Sequence, residues 1–254
     1  MSFNEKVALV TGASSGIGAA IAIKFAEEGA KVILVGRNQE KLNNVAKKCG
    51  NPLVLVADVT KEEDAKRIID ETVRNFGKLD VLVNNAGIAG LTSIQAENAM
   101  AVFDSVMSTN LRSAVYLTHL AVPHLMSTKG NIINISSVAA LRVISKDNFA
   151  YGTSKAALDH FTRCVALELA SSGVRVNVIN PGPVQTDIIE NMGAGVEQQE
   201  AVFRHMKKMT ALDRISDSEE IADLVLFLAS DKARAITGSS YLTDNGLLLK
   251  SIEV

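Results

Sequence analysis

The chain has 254 residues, 47% of them hydrophobic and 21% charged; that length allows one large domain or two small ones, and that composition excludes a disordered or fibrous chain. Lys and Arg number 26 against 28 Asp and Glu, which leaves no broad basic surface for nucleic acid. The two cysteines, Cys49 and Cys164, lack CxxC spacing, which excludes a disulfide framework and fits a reducing compartment such as the cytoplasm.

The N-terminal MSFNEK carries Glu5 and leads into only four apolar residues before Thr11, too few for a signal peptide. The longest uncharged run, 7–23, is broken by TGASSGIG and does not suit a membrane span. Short β-branched runs then recur at KVALV (6–10), KVILV (31–35), PLVLV (52–56), LDVLV (79–83), NIINI (131–135) and VRVNVI (174–179). Each is nearly continuous in apolar residues, as a strand is when both its faces are covered. Amphipathic stretches alternate with them at 16–28, 38–49, 61–75, 97–127, 150–172 and 218–230, and a seventh strand is expected near 239–243. This alternation predicts an α/β fold: a doubly wound Rossmann-type domain with a seven-stranded, mostly parallel sheet and helices on both faces. No linker or repeat divides the chain, so residues 1–254 read as one domain.

Two segments break the rhythm. Residues 138–149 form a long strand-to-helix connection, and 183–211 mixes apolar and charged residues without a strand. Both follow a strand, at the edge of the sheet where α/β folds bind ligands, and long loops there are usually functional.

The run Thr11-Gly12-Ala13-Ser14-Ser15-Gly16-Ile17-Gly18 follows the first strand and opens the first helix. Glycines there permit a tight turn and close backbone approach, while the helix N-terminus offers free N–H groups to a phosphate. No Gly-Lys-Ser/Thr follows, so it is not a Walker A loop. Dinucleotide binding is the expectation, through Gly12, Ser14, Ser15, Gly16, Ile17 and Gly18. Farther along come Asn84-Asn85-Ala86-Gly87, Tyr151-Gly152-Thr153-Ser154-Lys155 and Pro181-Gly182-Pro183-Val184-Gln185-Thr186.

With the TGxxxGxG spacing of the first motif, these four in order resemble the short-chain dehydrogenase/reductase family, in its compact single-domain branch. The resemblance runs from residue 6 to about 246. It implies a nicotinamide cofactor held also by Asp58 and Val59 at the adenine, by Asn85, Ala86 and Gly87, and by Pro181, Gly182, Val184 and Thr186. It implies that Ser137, the second of the Ser136-Ser137 pair, is catalytic, and that Asn110 holds a water relay to Lys155. It also implies a homo-oligomer, a tetramer, paired through 97–127 and 150–172, and a substrate chosen by 188–210. Asp244-Asn245-Gly246 departs from the family's usual Asp-Gly-Gly.

The residues themselves support parts of this. At i and i+4 on a helix, Tyr151 and Lys155 share a face, with Cβ atoms about 5–6 Å apart. A phenol of pKa about 10 is a poor base at neutral pH, and a neighbouring ammonium favours the phenolate. A serine hydroxyl at 137 can hold a carbonyl oxygen while Tyr151 donates its proton. Asn110 sits in mid-helix, where Asn is disfavoured; a surface polar residue is the plain alternative.

After the second strand, Val35-Gly36-Arg37-Asn38 lacks the ribose-binding acid and offers a guanidinium. An acid would repel a 2′-phosphate, whereas Arg pairs with it. This points to NADP(H) over NAD(H), held by Arg37 and Asn38. Asp58 reads equally as the N-cap of the helix after Thr60. The four histidines have no zinc spacing, so no metal is expected, and Cys164 falls in an apolar pattern as core.

The expected function is an NADP(H)-dependent oxidoreductase interconverting a secondary alcohol and a carbonyl on a small to medium, largely apolar substrate, with no nucleic acid or membrane partner. A 3-oxoacyl thioester reductase is the alternative enzyme, with Lys207 and Lys208 facing an acidic carrier. From another class, an inactive nucleotide-sensing module is opposed by the presence of both Tyr151 and Lys155.

Overall fold

Strands β1 (Val7–Thr11), β2 (Lys31–Gly36), β3 (Leu53–Val56), β4 (Val81–Asn84), β5 (Asn131–Ile135), β6 (Arg175–Pro181) and β7 (Ser240–Thr243) form one sheet in the order β3-β2-β1-β4-β5-β6-β7. This computed structural model describes residues 3–186 and 196–250. Every neighbouring pair is parallel, so the sheet is wholly parallel where a mostly parallel one was expected. Among the described residues eight α-helices connect the strands: α1 (Gly16–Glu27), α2 (Gln39–Ala46), α3 (Glu62–Phe76), α4 (Ala99–Met107), α5 (Ser113–Thr128), α6 (Phe149–Leu169), α7 (Val196–Met209) and α8 (Ser218–Ala229).

Alternate residues of each strand feed opposite cores. Ala8 and Val10 of β1 and Val32 and Leu34 of β2 pack in the layer with α1, α2 and α8. Val7, Leu9, Ile33 and Val35 pack in the other, with α3, α5 and α6. With neither face wet, no polar alternation survives in the sequence. The buried carboxylate of Asp80 pins the start of β1 to that of β4, accepting from the Val7 N–H at 2.9 Å with Lys6 and Lys78 each 3.2 Å away.

Three stretches differ from the sequence expectation. Residues 97–127 are not one regular helix: a π-helical turn, Ser108–Arg112, separates α4 from α5. In 138–149 a short 3-10 turn, Val138–Ala140, follows β5. The irregular stretch 183–211 contains α7, whose half-buried Val202, Phe203, Met206 and Met209 recur at helical spacing, a period masked by the charges between them. Residues 187–195 of that stretch, Met192 among them, lie outside the described residues.

Cys164 is exposed, not core. Helix α6 buries Leu158, Thr162, Ala166 and Leu169, and Cys164 falls off that stripe. Asn245 resolves the departure from Asp-Gly-Gly. It adopts a left-handed φ of 53°, which Asn tolerates better than most side chains, while Asp244 accepts from the N–H groups of Gly246 and Leu248. Among the described residues no helix is long and apolar enough to cross a membrane.

Candidate active site

Strand order reverses between β1 and β4, and a crevice forms beyond their carboxyl ends. Thr11 at the end of β1 clamps the two loops that meet there. Its hydroxyl accepts from the N–H groups of Asn85 and Ala86, both at 3.0 Å, and donates to the Val83 carbonyl. Asn85 Nδ2 returns a bond to the Thr11 carbonyl at 2.8 Å. The approach is close enough to demand glycine. Gly12 has φ +65°, and a Cβ on it would lie 2.8 Å from Asn85 Nδ2, while one on Gly18 would overlap the Gly12 carbonyl. Ser15 at the N-cap of α1 makes no side-chain capping bond. The first-turn N–H groups therefore remain available at the positive end of the helix, which suits a pyrophosphate.

The cleft above this turn encloses about 240 Å³. Of the residues expected from sequence it is lined by Gly12, Ser14, Ser15, Gly16, Ile17, Arg37, Asp58, Val59, Asn85, Ala86, Gly87, Tyr151, Lys155 and Thr186. It adds Gly36, Ala57, Ile88, Thr109, Ile135 and Ser136, which carry no charge or spacing that marks them in the sequence; of the serine pair, the sequence favoured Ser137. Its walls do not include Gly18, Asn38, Asn110, Ser137, Pro181, Gly182 or Val184.

Asn38 is the N-cap of α2, its Oδ1 accepting from the Lys41 N–H at 2.9 Å. Asp58 is not the N-cap: its carboxylate accepts from the N–H and hydroxyl of Thr60, and the N-cap position of α3 is Lys61, which makes no side-chain capping bond. Burial raises the Asp58 carboxyl, but the Thr60 bonds with the charges of Arg37 and Lys61 bring it below its usual value. Pro181, Gly182 and Val184 brace the rim. Gly182 donates to the Thr243 carbonyl at 2.9 Å, and Val184 bridges to Ser216.

At the other end, Tyr151 and Lys155 occupy successive turns of α6. Lys155 Nζ lies 5.7 Å from the Tyr151 ring centroid and donates to the Ile135 carbonyl at 2.8 Å. Burial pulls the ammonium down to about 8, against the charge of Asp159, which raises it. Burial pushes the Tyr151 phenol up, and a hydrogen bond from Ser137 opposes the shift. The Ser137 hydroxyl accepts from the Ala139 N–H at 3.1 Å, whereas Ser136 donates to the Lys155 carbonyl at 3.2 Å. Of the paired serines it is Ser137 that meets the phenol.

Asn110 lies inside the π-helical turn, fully buried. Such turns admit an extra residue and often mark functional sites. Its side chain grips Ile88, accepting from the N–H at 2.8 Å and donating to the carbonyl at 3.0 Å, with Ser154 at 3.1 Å. It thereby holds Gly87 beside Lys155: a Cβ on Gly87 would be 3.4 Å from Nζ and 3.3 Å from Asn110 Oδ1.

A family model described as Enoyl-(Acyl carrier protein) reductase matches residues 12–248. L-fucose dehydrogenase of Bos taurus is 35% identical over 241 residues, covering 95% of this chain and 88% of that protein. Glucose 1-dehydrogenase of Gluconobacter oxydans is 38% identical over 255 residues, covering 97% and 93%. A short-chain dehydrogenase/reductase of unknown function from Caenorhabditis elegans, crystallised with cofactor, superposes with a TM-score of 0.92 at 35% identity, covering 98% of this chain and 97% of that one. Similarity of this degree along nearly the whole of each chain, on the same fold, leaves one assignment: the chain belongs to the short-chain dehydrogenase/reductase family of oxidoreductases, which use NAD or NADP.

Proposed function

We propose that the chain interconverts a secondary alcohol and a carbonyl on a small to medium, largely apolar substrate, with NADP(H) preferred over NAD(H), as a single domain working in the cytoplasm. The observation that carries this reading is the Tyr151 phenol, near enough to Ser137 for its pKa to be lowered by it and with its ring 5.7 Å from Lys155 Nζ, in the wall of the cleft that runs from the glycine turn. The turn from Gly12 to Gly18 receives the pyrophosphate on the open N-terminus of α1. Asp58 and Val59 border the adenine, and Arg37, beside Ser14, faces the ribose 2′ position. Asn85, Ala86 and Gly87 form the floor, and Thr186, with Pro181, Gly182 and the Val184 backbone, holds the nicotinamide end. When bound, the nicotinamide supplies or accepts the hydride.

The protein moves the proton. Ser137 Oγ donates to the substrate oxygen, and Tyr151 Oη gives that oxygen a proton in reduction and takes it back in oxidation. The Lys155 ammonium lowers the cost of the phenolate and bonds the ribose. Asn110, through Ile88, fixes the wall beside Lys155 along which the proton is resupplied. Exposed Leu91 and Ile94 after β4, and Val143 and Ile144 after β5, supply apolar contact. Their loops are joined by the Thr92 N–H to Asp147 carbonyl bond at 2.8 Å.

The test is a panel of aliphatic ketones, secondary alcohols and aldohexoses, followed by cofactor absorbance with NADPH and NADH. Turnover of ketones with NADPH is the expected result, and turnover of aldohexoses alone would overturn the substrate class. A second reading, reduction of a 3-oxoacyl thioester, is favoured by a groove where Arg204, His205, Lys207 and Lys208 of α7 outnumber the one acid, Asp213; an acyl thioester in the panel distinguishes it.

We further propose a homotetramer. Exposed Val115 and Met126 on α5 and Cys164 and Leu167 on α6 leave outward faces more apolar than solvent favours. Light scattering should give about four times 27.0 kDa; a mass equal to one chain at micromolar concentration would refute it.

A further inference from the structure

Tyr151, Lys155 and Asp159 stand at i, i+4 and i+8 of α6, on the face turned to β5 and β6. Asp159 is only 4% exposed, an uncommon place for an acid without a task. Its Oδ2 accepts from Asn180 Nδ2 at 2.8 Å, and the same Nδ2 donates to the Ser137 carbonyl at 3.2 Å. The Ser136 hydroxyl donates to the Lys155 carbonyl at 3.2 Å and lies near enough to Asp159 to lower the pKa of its carboxyl, whose Oδ1 is buried without a hydrogen-bond partner. One buried acid is therefore bonded to the support of Ser137 and stands one helical turn beyond Lys155, close to the serine that bonds its carbonyl.

The surroundings of Lys155 are otherwise neutral. The end of β5 brings the Ile135 carbonyl and Ser136, the loop after β4 brings Gly87, and the π-helical turn brings Asn110. On α6 itself lie the Tyr151 phenol and Asp159, and β6 contributes Asn180. Asp159 supplies the opposite charge; burial raises its own carboxyl, opposed by Ser136, Asn180, Arg163 and Lys155. An ammonium so buried sheds its proton unless an anion answers it.

We propose that Asp159 is the buried counter-charge of Lys155 and, through Asn180, the support of Ser137: a positioning residue that keeps Lys155 charged while Tyr151 works. The proposal rests on the roles given above to Tyr151 and Lys155. Two variants separate charge from scaffold. An Asn at 159 still accepts from Asn180 and turns its amide toward Ser136, which can accept, so Asp159→Asn removes the charge alone. Asn180→Ala removes the bridge to Ser137 and keeps the acid, at the cost of a donor that lowers its carboxyl.

The experiment follows the Lys155 Cε resonance through a pH titration of the cofactor-free protein, with lysine labelled and the signal assigned by its loss in Lys155→Met. In Asp159→Asn it should titrate about one pH unit lower than in wild type, and the alkaline limb of kcat/KM should move down by the same amount, because Lys155 loses its charge at a lower pH. Asn180→Ala should lower kcat and move the Lys155 titration less than Asp159→Asn does, because the carboxyl is still present. An unmoved Lys155 titration in Asp159→Asn overturns the proposal. So does an Asp159 Cγ resonance in the wild-type protein that titrates at or above Lys155, a measurement that needs no variant. Tyr151→Phe distinguishes the two levels: normal turnover there sinks the catalytic reading, whereas an inactive Phe variant with an unmoved Lys155 sinks only the role of Asp159.

Discussion

Tyr151→Phe is expected to lower kcat by about 10²–10⁴, the usual contribution of a positioned general acid or base. The substitution removes one oxygen and leaves the ring that lies 5.7 Å from Lys155 Nζ. Ser137 loses its bond to the phenol but keeps the Ala139 N–H at 3.1 Å, so its hydroxyl stays poised for a substrate oxygen. No cavity forms, and the melting temperature should stay within a few degrees of wild type. Cofactor affinity should be retained, because the glycine turn and Lys155 are untouched. In the oxidation direction the wild-type rate should climb with pH as the phenolate forms, and the Phe variant should lose that climb. Turnover within a few-fold of wild type would remove Tyr151 from the chemistry.

The sheet was legible because a parallel strand covered on both faces must be apolar almost throughout, and all seven strands carry that mark or follow from the alternation. Helix α7 was hidden because its charges interrupt a period carried by only four half-buried residues. The π-helical turn at Asn110 has no signature beyond an Asn in a helical run; its cause is tertiary, the grip on Ile88. The glycine turn and the Tyr151–Lys155 pair were legible because their chemistry constrains residues close in sequence. Ile88, Thr109 and Ile135 were not, since they enter the cleft from three separated segments. Asp159 left a trace: an acid one turn beyond Lys155, on the same stripe as Leu158 and Thr162. Spacing alone does not separate such an acid from a solvated one, and its burial does.

Arg37→Ala is expected to weaken NADPH about 10- to 150-fold and leave NADH nearly unchanged. Arg37 is exposed at the carboxyl end of β2 and lines the cleft, so its guanidinium is free to turn to a 2′-phosphate. The preceding residue, Gly36, carries no carboxylate, and a Cβ there would come within 3.4 Å of Ser14 Cβ and 3.5 Å of its hydroxyl. That hydroxyl therefore borders the same position and is the natural second donor. Asn38, the other candidate, offers only a neutral amide donor, its Oδ1 accepting from the Lys41 N–H, which leaves the charged Arg37 the larger share. A hydrogen bond to a charged group contributes about 1.5–3 kcal/mol, and each ~1.4 kcal/mol is tenfold in affinity. The contact is wet, so salt should erode the NADPH preference of wild type and have little effect on the Ala variant. Dissociation constants for both cofactors, on both proteins, decide the matter. Equal wild-type affinities, or a variant that weakens both cofactors alike, would mean that Arg37 does not select and that the NADP assignment falls with it.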